Sequence, residues 1–387
     1  MKYFPPEKLK FLKLANSEIL GFVSQLFLPL KPTSTKTSAL LMVAGVGLSL
    51  GIPNGAIANT SPTLQSQQKT LLISQKSNNV QLNLVSFSVT QAAYEKIIPQ
   101  FVAKWKREKG QDVVFKQSYG ASGSQAQAVI NGLEADVVGL SLALDVKTIQ
   151  DAGLIEAGWD RELPNGSIVT RSVVALETRP GNPKNIQTWA DLAKPGIKVI
   201  TPHPKTSGLG RWNFLTLWGT VTQIGGSENK AREYVSQVYK NSPILPKSAR
   251  EATETFFKKG QGDVLINYEN EVIWAKQTGQ GASSYVIPKL NLSIDNPVAI
   301  VDKNVNKHGT REVAEAFAEF LFTPEAQREF TKVGFRPVDQ TVAREVEKQF
   351  PKVDRLFSVV DLGGWNRVQK KFFDNKAIFD QIQSSKR

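Results

Sequence analysis

Three short turns rich in Ser and Gly, each running into a helical pattern, carry most of the chemistry this sequence offers. They read Gln117-Ser118-Tyr119-Gly120-Ala121-Ser122-Gly123-Ser124, Lys205-Thr206-Ser207-Gly208-Leu209-Gly210-Arg211 and Lys247-Ser248-Ala249-Arg250. A helix start leaves backbone N–H groups without intrahelical partners and carries about half a positive charge, so it favours an anion. Hydroxyls placed there add uncharged donors, and glycine lets the backbone approach a ligand closely. Such starts in one chain suggest a pocket around a small oxyanion. Each turn alone has an ordinary reading, because Ser and Thr cap helices and Gly makes turns in any protein.

Other chemistry is thinly represented. The chain has no cysteine, which excludes disulfides, thiolate metal sites, cysteine nucleophiles and a lipidated N-terminal cysteine. The two histidines, His203 and His308, lie far apart with no metal-ligand spacing around either. His203, within Thr201-Pro202-His203-Pro204, reads as a turn residue near the pocket mouth before it reads as a catalytic base. No Gly-x-Ser-x-Gly elbow follows a strand, and no phosphate loop of the form Gly-x-x-x-x-Gly-Lys-[Ser/Thr] is present. The expectation is a binding protein without catalysis, cofactor or metal.

Composition agrees with a soluble globular chain. Of 387 residues, 41% are hydrophobic and 21% charged, and the length suffices for two domains with sizeable cores. The net charge of +13 invites a nucleic-acid reading. The basic residues are scattered, however, without a compact run interleaved with aromatics, so a generally basic surface is the better reading. Such a surface attracts anions over long range, an effect that salt screens.

The elements that position the turns follow an α/β pattern with parallel strands. Residues 81–87 read as a strand. Tyr94, Ile97, Ile98, Phe101, Val102 and Trp105 then follow helical spacing up to Gly110, with Pro99 predicting a kink or a late start. A strand at 113–116 leads to the first turn, whose helix carries Ala126, Val129, Ile130 and Leu133 on one face. A strand at 136–140 follows. Residues 167–177 and 297–302 read as two long β segments crossing between lobes. Between them, a strand at 198–202 leads to the second turn and to a helix whose Trp212, Phe214, Leu215, Leu217 and Trp218 suit a core. A helix at 248–259, a strand at 263–268 and a helix from Glu269 complete that part. Helices at 310–322 and 324–333 precede a charged, amphipathic tail from Gln340. No internal repeat is visible. This arrangement predicts one lobe at 80–166 plus 297–387 and a second at 167–296, with the turns gathered at strand ends in the cleft.

The N-terminus reads as targeting sequence. Lys31 and Lys36 precede an uncharged, largely apolar stretch from Ser38 to Ala58 that closes on Ala56-Ile57-Ala58, small residues where a signal peptidase needs them. Gly51, Pro53, Asn54 and Gly55 interrupt it and make it a poor spanning helix, although an uncleaved anchor is the alternative. Residues 1–30 form an extended n-region. Cleavage after Ala58 leaves a Ser/Gln/Asn-rich flexible leader over residues 59–79.

With these residues in view, the chain from Leu82 onward resembles the periplasmic sulfate-binding proteins of ABC importers. The likeness is carried by Gln117-Ser118 with Ser122-Gly123, by Gly132-Leu133-Glu134-Ala135-Asp136-Val137-Val138, and by Arg179-Pro180-Gly181-Asn182-Pro183-Lys184. It continues through Thr201-Pro202 with Pro204-Lys205-Thr206-Ser207-Gly208, Arg211-Trp212-Asn213 and Ser248-Ala249-Arg250. Gly260-Gln261-Gly262-Asp263, Glu269-Asn270-Glu271, Phe335-Arg336-Pro337 and Gly363-Gly364-Trp365 complete it. The resemblance implies a two-lobed α/β fold of the type II periplasmic-binding-protein class, with sulfate held between the lobes mainly by uncharged donors.

Carried over position by position, it implies that Ser122 contributes hydroxyl and N–H, Ser207 a second hydroxyl, and Gly208 and Ala249 backbone N–H groups. Three positions depart from the family. Leu209 replaces a common glycine, so its side chain must point away from the anion. Tyr268 replaces a tryptophan, offering a phenol O–H for an indole N–H. Ser88, after the first strand, replaces a pocket aspartate. The implied function is capture of sulfate or thiosulfate by a periplasmic monomer that delivers it to a membrane permease, with no role for nucleic acid. Two alternatives stay open at this stage: a same-fold binder of phosphate or molybdate, and an ester-cleaving enzyme built on the same cradle.

Overall fold

The computed structural model describes residues 79–279 and 284–385. The export segment and most of the leader therefore lie outside the described residues. Two sheets with helices packed on them organise the chain as a two-lobed α/β fold.

The first sheet has six strands. β1 (Asn79–Phe87) lies next to the edge and pairs in parallel with the edge strand β2 (Asp112–Gly120) on one side and β3 (Val137–Gly139) on the other. Covered on both faces, β1 buries a continuous run from Leu82 to Phe87 rather than alternating. Between β1 and β2 runs α1 (Gln91–Lys109), which turns Tyr94, Ile97, Ile98, Phe101 and Trp105 to the core. It ends where Gly110 takes a left-handed conformation and returns its N–H to the Lys106 carbonyl. The late start expected from Pro99 does not occur, since α1 begins eight residues earlier and runs through it.

Two further sequence expectations are corrected. β2 continues to Gly120, so Gln117 to Gly120 are strand, and Ala121 alone separates them from α2 (Ser122–Ile130). The pairing with β1 carries on through Ser86 with Tyr119 and Phe87 with Gly120. Leu133 falls beyond α2 and is exposed, while Ala126 and Val129 are buried. After β3 comes α3 (Ala143–Asp151).

The segment read as one long strand at 167–177 is two. β4 (Ile168–Ser172) belongs to the first sheet and β5 (Val174–Thr178) to the second, with Val173 between them. The second sheet has the order β6-β7-β5-β8, where β6 is Val199–Ile200, β7 is Val264–Tyr268 and β8 is Ser284–Val286. Its helices include α4 (Gly208–Thr222), α5 (Glu228–Lys240), α6 (Ala249–Phe257) and α7 (Glu269–Gln277). α4 is apolar on nearly every side and buries Trp212, Phe214, Leu215, Leu217 and Trp218, as a helix inside the core should.

The return path runs through β9 (Leu290–Leu292) into β10 (Ile294–Ile300), which lies wholly in the first sheet, antiparallel to β3 and β4. The second crossing is thus upstream of the segment expected at 297–302. Asn291 stabilises the crossing point: its side chain accepts the Val174 N–H at 3.0 Å and donates to the Val174 carbonyl at 2.7 Å. It stands in for a strand partner where β5 has left the first sheet.

Beyond β10, α8 (Asp302–His308), α9 (Arg311–Phe320) and α10 (Pro324–Lys332) cover the first sheet, and β11 (Arg336–Pro337) joins its edge beside β4. Arg336 grips the buried Glu269 at the start of α7 with two hydrogen bonds of 2.6 and 2.8 Å. The tail passes through α11 (Gln340–Glu345) and β12 (Arg355–Phe357), which pairs in parallel with β9. Two short helices, α12 (Gly364–Val368) and α13 (Ile378–Ser384), end it. Phe372, Phe373 and Phe379 of this tail pack on Phe214 of α4. No described helix is long and apolar enough to cross a membrane.

Candidate functional site

Four helix starts and one strand end come together between the sheets. Ser88 opens a single tight turn, Ser88–Thr90, directly after β1. Ser122 is the first residue of α2. Ser207 caps α4, so Gly208 and Leu209 are its first two residues. Ser248 caps α6, whose first residue is Ala249, and its hydroxyl accepts the Glu251 N–H at 3.1 Å. Tyr268 ends β7 and leads into α7. First-turn N–H groups have no carbonyl one turn back to bond, so each start presents donors outward.

Contacts across the space tie these starts together. The backbone at Gly208 lies against the side chains of Ser141 and Ser122. Gly123 faces the Thr206 carbonyl, and the Tyr268 and Phe87 rings are 6.2 Å apart. α6 runs beside both the Ser88 turn and α4.

The hydroxyls differ in what they already bond. Ser122 Oγ donates to Asp145 Oδ2 at 2.5 Å and accepts the Ser141 N–H at 2.9 Å. Ser207 Oγ accepts the Gly210 N–H at a long 3.4 Å, as an N-cap does, a bond that does not use its own proton. Tyr268 O–H meets Ser141 Oγ at 2.6 Å. Burial pushes the Tyr268 phenol far above its ordinary pKa, so it stays protonated. Leu209 keeps a negative φ, and its side chain is buried in the main core. Its N–H, one position after Gly208, therefore faces the same way as the other first-turn donors.

Three residues that sequence reasoning passed over complete the site. Ser141, two residues beyond β3, is fully buried and receives the Trp212 indole N–H. Asp145 and Arg211 form an ion pair between α3 and α4, with Asp145 2% and Arg211 12% exposed. Asp145 thus has one oxygen on Arg211 and the other on the Ser122 hydroxyl. Arg211 was visible as the last residue of the second turn and as part of a matched motif, without a role of its own. Asp145 carried no signal, and Ser141 sits in an apolar run whose one hint was its place at a strand end.

Neither histidine enters the cleft chemistry. His203 Nδ1 accepts the Lys205 N–H at 3.1 Å, its ring packs edge-on against Phe379, and burial holds its pKa down. His308 bonds Asp136 at 2.7 Å and Glu134 at 3.2 Å, which raises its pKa. Among the described residues no group of His, Asp and Glu is arranged to hold a metal ion. What the site offers is a cradle of uncharged N–H and O–H donors on helix starts, with Asp145 paired to Arg211 and Ser122 and with Glu271, buried one turn after Tyr268, beside Arg250.

Comparison with known proteins agrees with this chemistry. The sequence pattern of the family described as bacterial extracellular solute-binding protein matches residues 82–336. The chain is 56% identical over 307 residues to the sulfate-binding protein of Synechococcus elongatus, covering 79% of this chain and 87% of that one. It is 39% identical over 302 residues to the thiosulfate-binding protein of Pseudomonas aeruginosa, covering 78% and 91% respectively. The solved structure of the sulfate-binding protein SubI from Mycobacterium tuberculosis superposes with a TM-score of 0.71 at 36% identity, covering 76% of this chain and all of that one. The chain belongs to the bacterial extracellular solute-binding protein family.

Proposed function

We propose that this protein binds sulfate or thiosulfate in the cleft between its sheets and delivers it to an ABC-type membrane permease. One observation supports the reading: the start of α4 at Gly208 lies against Ser122 at the start of α2 and α6 runs beside α4, while Asp145 is taken by Arg211 and Ser122. A dianion without protons asks for donors only, and helix dipoles supply the compensating field. Ser88, Ser122, Ser207, Gly208, Leu209, Ala249 and Tyr268 are the proposed contacts. Ser88, on its turn after β1, faces the anion where the family's aspartate stands.

The working cycle is a closure of two lobes, one built on the first sheet and the other on the second sheet with the tail that packs on α4, with crossings near Val173 and Asn291 as the hinge. The anion shifts the open–closed equilibrium through contacts that only the closed state makes. The closed form is then what the permease recognises, and no bond of the anion is broken. The protein acts in the periplasm as a monomer, exported by a signal peptide removed after Ala58, so that the secreted form begins at Asn59.

Titration calorimetry of the purified protein with sulfate, thiosulfate, molybdate and phosphate tests the reading. Tight binding of sulfate or thiosulfate is expected. Tight binding of phosphate or molybdate alone, or of none of the four, overturns it.

A further inference from the structure

Ser141 is a point where the two sides of the cleft touch. Its N–H donates to Ser122 Oγ at 2.9 Å. Its carbonyl accepts from Trp212 Nε1 at 3.0 Å and Asn296 Nδ2 at 2.9 Å. Its Oγ accepts the same indole N–H at 3.1 Å and lies 2.6 Å from Tyr268 O–H. Ser141 follows a strand of the first sheet and Tyr268 ends a strand of the second, and both are buried. This hydroxyl pair spans the cleft beside the backbone of Gly208.

Proton counting gives the pair an unusual property. The two hydroxyls hold two protons, and their mutual hydrogen bond uses one. When Tyr268 donates to Ser141, the serine proton is left over. When Ser141 donates to Tyr268, the phenol proton is left over. Trp212 fills an acceptor position on Ser141 in both cases. One O–H is therefore always available, and it can leave from either of two oxygens 2.6 Å apart.

We propose that Ser141 is a specificity-determining residue of the site, forming with Tyr268 a single switchable donor to the bound anion. The proposal rests on the oxyanion reading given above. An indole at position 268 would fix its donor in one place. A switchable O–H meets anions of different length, because thiosulfate replaces one short S–O bond of sulfate with a longer S–S bond. The oxygen nearer the donor then sits differently in the two anions, and the pair follows it by reversing its internal hydrogen bond. Ser141 and Tyr268 together thus set the balance between sulfate and thiosulfate.

The test is titration calorimetry of sulfate and thiosulfate against the wild type, Ser141→Ala, Tyr268→Phe and the double variant. Wild type should bind both anions within about tenfold of one another. Each single variant keeps one O–H but fixes its position, so the sulfate-to-thiosulfate affinity ratio should move by roughly fivefold or more, in opposite directions for the two. The double variant should lose about tenfold or more for both anions. A purely structural role would lower both affinities by one common factor and leave the ratio unchanged, which overturns the proposal. So does a double variant of wild-type affinity, or a wild type that binds only one of the two anions. Should Ser141→Ala fail to fold, Tyr268→Phe alone must still shift the ratio. A wild type that binds neither anion sinks the oxyanion reading itself, a result distinct from an unchanged ratio.

Discussion

A Cβ placed on Gly208 would lie 2.5 Å from the Cβ of Ser141 and 3.3 Å from that of Ser122. The glycine is needed here for close approach, because Gly208 is an ordinary first-turn helical residue without positive φ. Its neighbours belong to the first sheet's side of the cleft, so the crowding arises only when the two sides meet. We expect Gly208→Ala to fold normally, since alanine suits a helix, yet to be unable to close. Anion affinity should fall by at least about 100-fold, or about 2.7 kcal/mol, with little change in ligand-free Tm. X-ray scattering should show no contraction when sulfate is added. Wild-type affinity in this variant would mean that the cleft closes on the anion without bringing Gly208 to Ser141.

Ser122 and Ser207 resemble each other in sequence and differ in structure. The Ser122 hydroxyl is committed to Asp145 and to the Ser141 N–H, so Ser122→Ala strips a partner from a buried carboxylate and from a buried N–H. That should cost about 1–3 kcal/mol of stability. Ser207 gives up only a long cap bond. Ser207→Ala should therefore leave Tm nearly unchanged while lowering anion affinity by a factor of about 10 to 100, the usual loss of one donor to a charged group. Paired melting and titration experiments separate the two. Equal losses of stability in both variants would contradict the difference in bonding.

The sequence made the framework legible wherever a buried face repeats at a regular interval. α1 is the clearest case, with its core face and its terminal Gly110, and the helix starts at Gly208 and Ala249 follow from the capping hydroxyls of Ser207 and Ser248. It was less informative where pairing overrode composition. The exposed Gln117 and the half-exposed Ser118 to Gly120 look like a turn, yet they are strand because β1 continues beside them. Val173 looks like strand interior and is the point where the chain changes sheets. Ser141 and Asp145 were missed for a related reason. Their roles come from contacts with Tyr268 and Arg211, 127 and 66 residues away in sequence, and no local pattern records such a meeting.

Glu271, in the first turn of α7, is buried, and the half-exposed Arg250 guanidinium lies 3.5 Å away. Burial raises its pKa, Arg250 pulls the other way, and the nearby Glu177 adds to the rise. A carboxyl whose folded pKa lies above its unfolded value near 4.3 stabilises the fold at lower pH, and that contribution is lost as pH rises through the folded value. Glu269 shifts in the same direction, also through burial, against the pull of Arg336. Glu271→Gln should accordingly melt higher than wild type at pH 7, by about 2–4 °C if roughly 1 kcal/mol is recovered. The difference should vanish near pH 4. Thermal melts across that range decide it, and a variant less stable than wild type at pH 7 would show that the pair with Arg250 outweighs the burial.

Selectivity against phosphate follows from where protons and acceptors lie. Sulfate carries no proton near neutral pH, whereas monohydrogen phosphate and its more protonated form carry O–H groups. A buried O–H without an acceptor costs about 1–3 kcal/mol. Asp145, beside the cradle, has one oxygen on Arg211 and the other on the Ser122 hydroxyl, and Glu271, one turn after Tyr268, is buried against Arg250. The residue opening the turn after β1 is Ser88, where an aspartate would have offered an acceptor. The hydroxyls of Ser207 and Tyr268 can accept, but Ser207 already receives the Gly210 N–H, and Tyr268 shares its bond with Ser141. We therefore expect sulfate affinity nearly flat between pH 5 and 8. Phosphate should bind at least about 100-fold more weakly than sulfate, a difference of about 2.7 kcal/mol. Competition titrations at both ends of that pH range measure this directly. Phosphate displacing sulfate at comparable concentration would mean that the cradle contains an acceptor which Asp145 and Ser88 do not supply.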